Sequence, residues 1–200
     1  MAEGHQAALA YLTVEQDPRS GWTGGLLVLG PGGRPLEFQC TLPVQPSRTH
    51  EILFGNSLRH HIIAEVIGPL LIKKCRTLIA MLCCDQAEAF RIGDSVRFPV
   101  GLVRQAAAVD EGPIDDTMLP HCETVQLVGS PVDVPMERYR EAQTIADAWS
   151  DLPDAVEPFE RIREAIAEAR KRVAAARAAT NAPPRQPAGG PPAIAAPRAA

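Results

Sequence analysis

The hydrophobic pattern of residues 24–44 predicts two strands joined by a turn. Residues 26–29 are continuously apolar, as expected of a strand that is covered on both faces. Residues 36–42 alternate between apolar and polar side chains, which is typical of a strand with one buried face. Between the two, GPGGRP supplies glycines that can take a positive φ and prolines that fix φ near a turn value. The segment is therefore predicted to be a β-hairpin.

Four further segments carry strand patterns. Residues 9–14 predict a first strand, and the continuous apolar run TLIAMLCC at 77–84 predicts a central one. Residues 95–104 alternate, but Pro99 lies among them, so this strand is expected at an edge or a bulge. Residues 123–128 predict a weaker last strand.

Helical periodicity appears in the middle of the chain. Ser47 or Thr49 can cap a short helical turn through residue 54. In the helix predicted from residue 56 or 57, one broad side is apolar and is expected to cover a sheet face; it carries Ile62, Ile63, Val66, Ile67 and Leu70. Gly68 and Pro69 are expected to end or kink this helix, since proline lacks a backbone donor.

Two more helices are predicted near the C-terminus, over 136–149 and from Pro158 onward. The last one has a narrow apolar seam at three- and four-residue steps, which contains Phe159, Ile162, Ile166, Ala169 and Val173. Two interpretations of the seam stay open. By default it packs on the chain's own sheet; alternatively, a partner helix pairs with Phe159, Ile162, Ile166 and Val173.

This order of elements predicts an α+β fold with a mainly antiparallel five- to six-stranded sheet covered by a helix, followed by two C-terminal helices. Residues 1–134 are expected to form the sheet domain. Residues 135–179 are expected to form a helical segment that packs on the sheet or extends from it. Residues 180–200 are rich in Ala and Pro and predict a disordered tail.

The order of elements over residues 9–104, with the GGLLVLGPGGRPLEF hairpin, resembles the small longin, roadblock and profilin-like interaction domains. The chain departs from roadblock domains, which usually begin with a helix. The resemblance is one of topology. It implies binding through a sheet edge or a helix face rather than catalysis.

Composition narrows the function classes. A formal net charge of -4 and an aromatic content of 4% argue against nucleic acid as a partner. No apolar run approaches the roughly 18 residues of a membrane span. The cysteines lack the spacing of a secreted disulfide scaffold, and the first residues lack a signal-peptide pattern, so a cytoplasmic location is expected.

Cysteines and histidines are the candidate metal ligands and nucleophiles: Cys40, His50, His60, His61, Cys75, Cys83, Cys84, His121 and Cys122. Their spacing contains neither CxxC nor HExxH, and GPGG lacks the Lys-Ser/Thr of a phosphate loop, so no metal and no cofactor is predicted. Cys84 ends a predicted central strand, where active sites often lie. Burial and the adjacent Asp85 would both raise the pKa of its thiol, which favours a packing role.

A charged cluster opens the helical layer after the hairpin. It comprises Arg48, His50 and Glu51, with Arg59 and His60 one helix further on. Such residues at a helix start can bind an anion or a partner's carboxylate, although a solvated cap is the commoner arrangement.

The sequence therefore predicts a non-catalytic cytoplasmic interaction or scaffold module within a homo- or hetero-oligomeric complex. Its expected partner is another protein or a second copy of the chain, with no nucleic acid and no membrane. The alternative hypothesis is a small enzyme that uses a Cys nucleophile or a Cys/His-bound metal.

Overall fold

The computed structural model describes residues 8–107, 119, 121–149, 151, 152 and 154–180. For residues 177–180 it describes the backbone alone. It is a mixed α/β fold around one seven-stranded sheet with the order β3-β2-β1-β4-β5-β7-β6. The strands are β1 Ala8–Asp17, β2 Gly21–Leu29, β3 Pro35–Cys40, β4 Ile79–Cys84, β5 Val100–Leu102, β6 Cys122–Leu127 and β7 Ser130–Pro135.

The first three strands form an antiparallel meander, in which β1 pairs with β2 and β2 with β3. The predicted hairpin at 24–44 is confirmed as β2 and β3, joined by the 3-10 turn Pro31–Gly33. β1 is apolar without alternation because both of its faces are covered. Leu9 and Tyr11 face one core cluster, while Ala10 and Leu12 face the other.

The expectation of a mainly antiparallel sheet with five to six strands is wrong. β4 runs parallel to β1, and β5 runs parallel to β4. Parallel neighbours need crossover connections, and two helical segments supply them. The run from residue 58 to 74 leads into β4, and the 3-10 segment Ala87–Ser95 leads from β4 to β5.

The far side of the sheet also differs from the expectation. β5 lies between β4 and β7 rather than at an edge, because the β6-β7 hairpin adds two strands outside it. The hairpin turns at Val128 and Gly129, which both have positive φ, 53° and 79°. A two-residue turn of this kind usually carries Asn-Gly or Asp-Gly. Val-Gly gives no such signal, and β7 was not predicted.

Helical segments cover the two faces of the sheet. On one face lie α1 Arg48–Phe54, α2 Leu58–His60, the π-helix His61–Ile67, α3 Gly68–Lys74 and the segment Ala87–Ser95. On the other face lie α4 Tyr139–Ala148 and α5 Glu157–Thr180. Among the described residues, no helix is long and apolar enough to cross a membrane. From residue 181 on, the predicted tail lies outside the described part, and the division at residue 134 stays a prediction.

Two adjacent glycines let helices approach both faces of β2. A Cβ on Gly24 would lie 2.2 Å from Ile67 Cγ2 of the π-helix, and a Cβ on Gly25 would lie 2.4 Å from Ile162 Cγ2 of α5. Neither distance is possible for a real side chain, since carbon atoms in contact lie about 3.5–4.0 Å apart. The Gly24-Gly25 pair therefore sets how closely the layers pack.

Candidate functional site

The carboxyl ends of β1 and β4 form a switch point, because the chain leaves β1 toward β2 and leaves β4 toward β5. Ligands of open α/β sheets often bind at such a crevice. Asp85 follows β4 there and is only 2% exposed. One of its oxygens accepts hydrogen bonds from Thr13 Oγ1 at 2.7 Å and from Arg163 of α5 at 2.5 Å. Arg163 also donates to the Ala106 carbonyl at 2.6 Å. The guanidinium of Arg163 from helix α5 therefore occupies this crevice.

Neighbouring polar groups form further hydrogen bonds near the carboxyl ends of β1 and β4. The side-chain amide of Gln86 pairs with both the N–H and the C=O of Val14, at 3.0 and 2.8 Å, and so continues the strand pairing. Arg170 of α5 donates to the carbonyl of Glu15 at 2.8 Å and to Thr23 Oγ1 at 3.1 Å. Asp85, Glu15 and Thr23 thus hold α5 on the sheet, whereas Gln86 holds the segment after β4 against β1.

The apolar seam of α5 packs on the chain's own sheet. Phe159, Ile162 and Ile166 are fully buried, and the Phe159 ring meets Tyr11 of β1 edge-on at 5.3 Å between centroids. Val173 is half-buried. Of the two interpretations of this seam, the structure shows the one in which the helix packs within the chain.

Cys75, Cys83 and Cys84 are poor nucleophiles. Cys83 and Cys84 are fully buried in β4. Burial raises the pKa of the Cys83 thiol to about 12 and, with the nearby Asp85 carboxylate, raises that of Cys84 well above its usual value. Cys75 is partly buried, and its thiol pKa is raised to about 11, first by burial. Within the described residues, no group of three or more His, Cys, Asp or Glu side chains could hold a metal ion.

The five residues predicted as a binding site lie on two neighbouring helical segments and have different partners in the structure. Arg48 pairs with Glu51 at 2.9 Å on the surface of α1, and His50 lies against the capping hydroxyl of Ser47. Arg59 turns the other way and pairs with Glu88 at 2.5 Å. Its guanidinium also lies 5.7 Å from the centre of the Trp22 ring.

His60, the fifth residue, lines a cavity of about 770 Å³ that we call the polar chamber. The polar chamber is formed by Asn56, Ser57, His60, Ala64, Glu65, Arg91 and Asp94. A second cavity of about 320 Å³, the apolar chamber, is formed by Phe90, Arg91, Gly93, Asp94, Phe98, Val100, Leu119, Pro135, Glu137 and Arg138. Arg91 and Asp94, an exposed ion pair at 3.6 Å, line both cavities, so the two chambers adjoin each other, and we call them together the groove.

The apolar chamber lies where three segments meet. Phe90 comes from the 3-10 segment after β4 and is 3% exposed, so it is anchored in the core. Phe98 precedes β5 and is half-buried. Arg138 belongs to the 3-10 turn that follows β7 and pairs with Glu141 at 2.7 Å. The aromatic walls and the arginine are thus contributed by three short segments of the chain.

The polar chamber is shaped by an uncommon helix. His60 ends α2 and Glu65 lies in the seven-residue π-helix His61–Ile67. Segments of π-helix are rare and often occur at functional sites. His61 fixes this wall, since its ring stacks on Phe54 at 4.1 Å and its Nδ1 lies 2.7 Å from the Glu65 carboxylate.

The His60 ring has one buried nitrogen. Its Nδ1 is enclosed and has no hydrogen-bond partner among the described groups. A buried N–H without an acceptor is costly, so we place a ring N–H at Nε2. In that tautomer His60 offers a hydrogen-bond donor at Nε2.

The two chambers differ in charge. The apolar chamber has two arginines, Arg91 and Arg138, and two acids, Asp94 and Glu137, so its formal charges cancel. The polar chamber has Arg91 against Asp94 and Glu65, which leaves one excess negative charge. Of the groove residues, sequence reasoning singled out only His60. Many of the others lie on short 3-10 segments, and most of the rest come from the π-helix and from the ends of β5 and β7, so no single periodicity reveals a shared wall.

No family model and no curated protein matches the chain. Among solved structures, it is similar to human ENDOV, with 11% identity over 82% of this chain and 85% of that chain and a TM-score of 0.42. It is also similar to Ciona intestinalis Endonuclease V in complex with a DNA that contains an inosine followed by a ribo-adenosine. That match has 11% identity over 84% of this chain and 87% of the other, with a TM-score of 0.39.

These neighbours contradict two expectations. They are endonucleases, one of them bound to DNA, so the predicted non-catalytic interaction or scaffold module and the exclusion of nucleic acid are both withdrawn. The exclusion relied on the global charge of -4 and on the 4% aromatic content, whereas a local site needs only a few well-placed side chains.

Proposed function

We propose that the protein binds a neutral heteroaromatic ring of the nucleobase type in the apolar chamber. The observation that carries this proposal is the combination of aromatic walls with a balanced set of two arginines and two carboxylates. A volume of about 320 Å³ falls at the small end of ligand pockets, which span roughly 300–1,000 Å³.

The aromatic walls suit a flat ring. The half-buried Phe98 lines the chamber together with Val100, Pro135 and the almost fully buried Phe90, so Phe98 offers the main aromatic surface. Stacking of a base on an aromatic side chain contributes about 1–3 kcal/mol. A flexible aliphatic ligand would gain no comparable stacking term, and therefore a planar ring is the favoured occupant.

The charged groups suit a ring whose edge both donates and accepts hydrogen bonds. Arginine donates to ring nitrogens and carbonyl oxygens, and a carboxylate accepts from an exocyclic amine. Adenine offers both, through its N7 acceptor and its N6 amine. Because Arg91 and Arg138 balance Asp94 and Glu137, the chamber favours a neutral ring over a charged one.

Titration of the protein with adenine, followed by amide chemical shifts in NMR, tests the proposal. Roughly 0.3 kcal/mol per non-hydrogen atom gives about 3 kcal/mol for this small ring, a dissociation constant of several millimolar. The shifts are expected to map to Phe98, Arg138 and their neighbours. Arg138→Ala should weaken binding about tenfold, since it removes a charge-assisted hydrogen bond.

Arg140→Ala is the matched control, because it removes the same charge two residues away on the exposed side of α4. It is expected to bind adenine like the wild type. Equal binding by the Arg138 and Arg140 variants, or shift changes confined to other surfaces, would show that the ring does not occupy the apolar chamber.

A further inference from the structure

The groove continues beyond the ring site into a chamber of different chemistry. Arg91 and Asp94 line both cavities, so a ligand held in the apolar chamber lies beside the polar one. The polar chamber presents hydrogen-bonding side chains from Asn56, Ser57 and His60, together with the Glu65 carboxylate. Ser57 already donates to the Phe54 carbonyl and Glu65 already pairs with His61, so a ring alone would leave the Asn56 amide and the His60 ring without a ligand partner.

The charge of the polar chamber selects among the groups that a nucleobase can carry. With one arginine against two carboxylates, the chamber is formally negative, which opposes a phosphate. Sugar hydroxyls are neutral, and each one both donates and accepts. Asp94 and Glu65 can accept from hydroxyls, whereas the Asn56 amide and His60 Nε2 can donate to them.

From this juxtaposition we propose that the ligand is a nucleoside, with its ring in the apolar chamber and the hydroxyls of its sugar in the polar chamber. The assignment rests on the proposed ring-binding function and specifies its substrate class. It predicts that the protein binds a nucleoside more tightly than either the free base or the nucleoside monophosphate.

The test compares adenine, adenosine and AMP by calorimetry and NMR under the same ionic conditions. The sugar nearly doubles the number of non-hydrogen atoms, so adenosine is expected to bind at least about tenfold more tightly than adenine. AMP is expected to bind less tightly than adenosine, because its phosphate would meet the excess negative charge beside Asp94 and Glu65.

Two variants locate the sugar. Asn56→Ala and His60→Phe each remove hydrogen-bonding groups from the polar chamber, and the second keeps a ring in place of the imidazole. Both should lower adenosine affinity several-fold toward that of adenine and leave adenine binding unchanged. His50→Phe on α1 is the matched control for His60, because His50 lies on the solvent side of that helix and lines neither chamber.

The outcomes separate the two proposals. Equal affinities for adenine and adenosine, with adenine binding still dependent on Arg138, would overturn the nucleoside assignment and leave the ring site standing. AMP binding as tight as that of adenosine or tighter would also overturn it, since the polar chamber would then accept a phosphate. Absence of binding by all three compounds to the folded protein would refute the ring site itself.

Discussion

Gly25→Ala provides a direct test of how α5 is seated on the sheet. The added Cβ would lie 2.4 Å from Ile162 Cγ2 and 3.2 Å from Ile166 Cδ1. Normal carbon contacts are about 3.5–4.0 Å, so either the helix must retreat by about 1 Å or Ile162 must leave its position. Both isoleucines are fully buried, and overpacking of this kind costs about 1–3 kcal/mol. We therefore expect the free energy of unfolding to fall by about that amount.

Urea unfolding followed by tryptophan fluorescence and circular dichroism measures the loss. Gly93→Ala is the control, because its Cβ would lie 3.6 Å from Val100 Cγ2, an ordinary contact, and little change is expected. Ile162→Ala removes the opposing methyl, so its cost and that of Gly25→Ala should not add when the two are combined. Ile162→Val keeps that methyl and should not compensate. Wild-type stability of Gly25→Ala, or simple additivity with Ile162→Ala, would refute the tight contact.

Two further predictions concern the carboxylate of Glu37 and the ion pair of Asp85 with Arg163. The Glu37 pKa is lowered to about 2, because burial, which raises it, is outweighed by hydrogen bonds from neighbouring side chains and from the N–H groups of Arg76 and Thr77. The stabilisation from Glu37 is thus present above its ordinary pKa of 4.5 and is lost as the pH falls toward 2. Glu37→Gln should cost about 1 kcal/mol at pH 7, discounted for exposure. Its difference from the wild type in unfolding experiments should shrink between pH 4.5 and 2, and a constant difference would contradict this role. Asp85→Asn and Arg163→Met should each lower the free energy of unfolding by about 2–4 kcal/mol, because each single change leaves a buried partner uncompensated. The double variant should lose less than the sum of the two single losses. An additive double variant in urea unfolding would argue against the pair.

The sequence predicted those strands whose burial on both faces produces a continuous apolar run. Continuous apolar runs at 26–29 and 77–84 gave the interior strands β2 and β4, because both faces of these strands are covered. The same runs do not show which neighbour a strand pairs with. The parallel placement of β4 beside β1 depends on the whole crossover from residue 58 to 74, so the predicted sheet was antiparallel.

The groove was less predictable than the sheet. Phe90, Phe98 and Arg138 lie on three segments that are distant along the chain and converge only through tertiary packing. The unpredicted strand β7 places Pro135 and the turn that carries Arg138. Since β7 gave no turn signal in Val128-Gly129, no pattern in the sequence connected Arg138 with Phe98.

The groove and the α5 contacts lie at opposite ends of the sheet. Phe98 precedes β5, and Pro135 ends the antiparallel β7, so both lie at the end where β5 begins. Asp85 follows β4, which is parallel to β5, and therefore lies at the other end with Arg163. Asp85 is thus occupied in holding α5 while the groove remains open. It follows that Arg163→Met should lower stability and leave adenosine affinity unchanged at temperatures where the variant is folded, whereas weakened binding would mean that the two ends are coupled through β4 and β5.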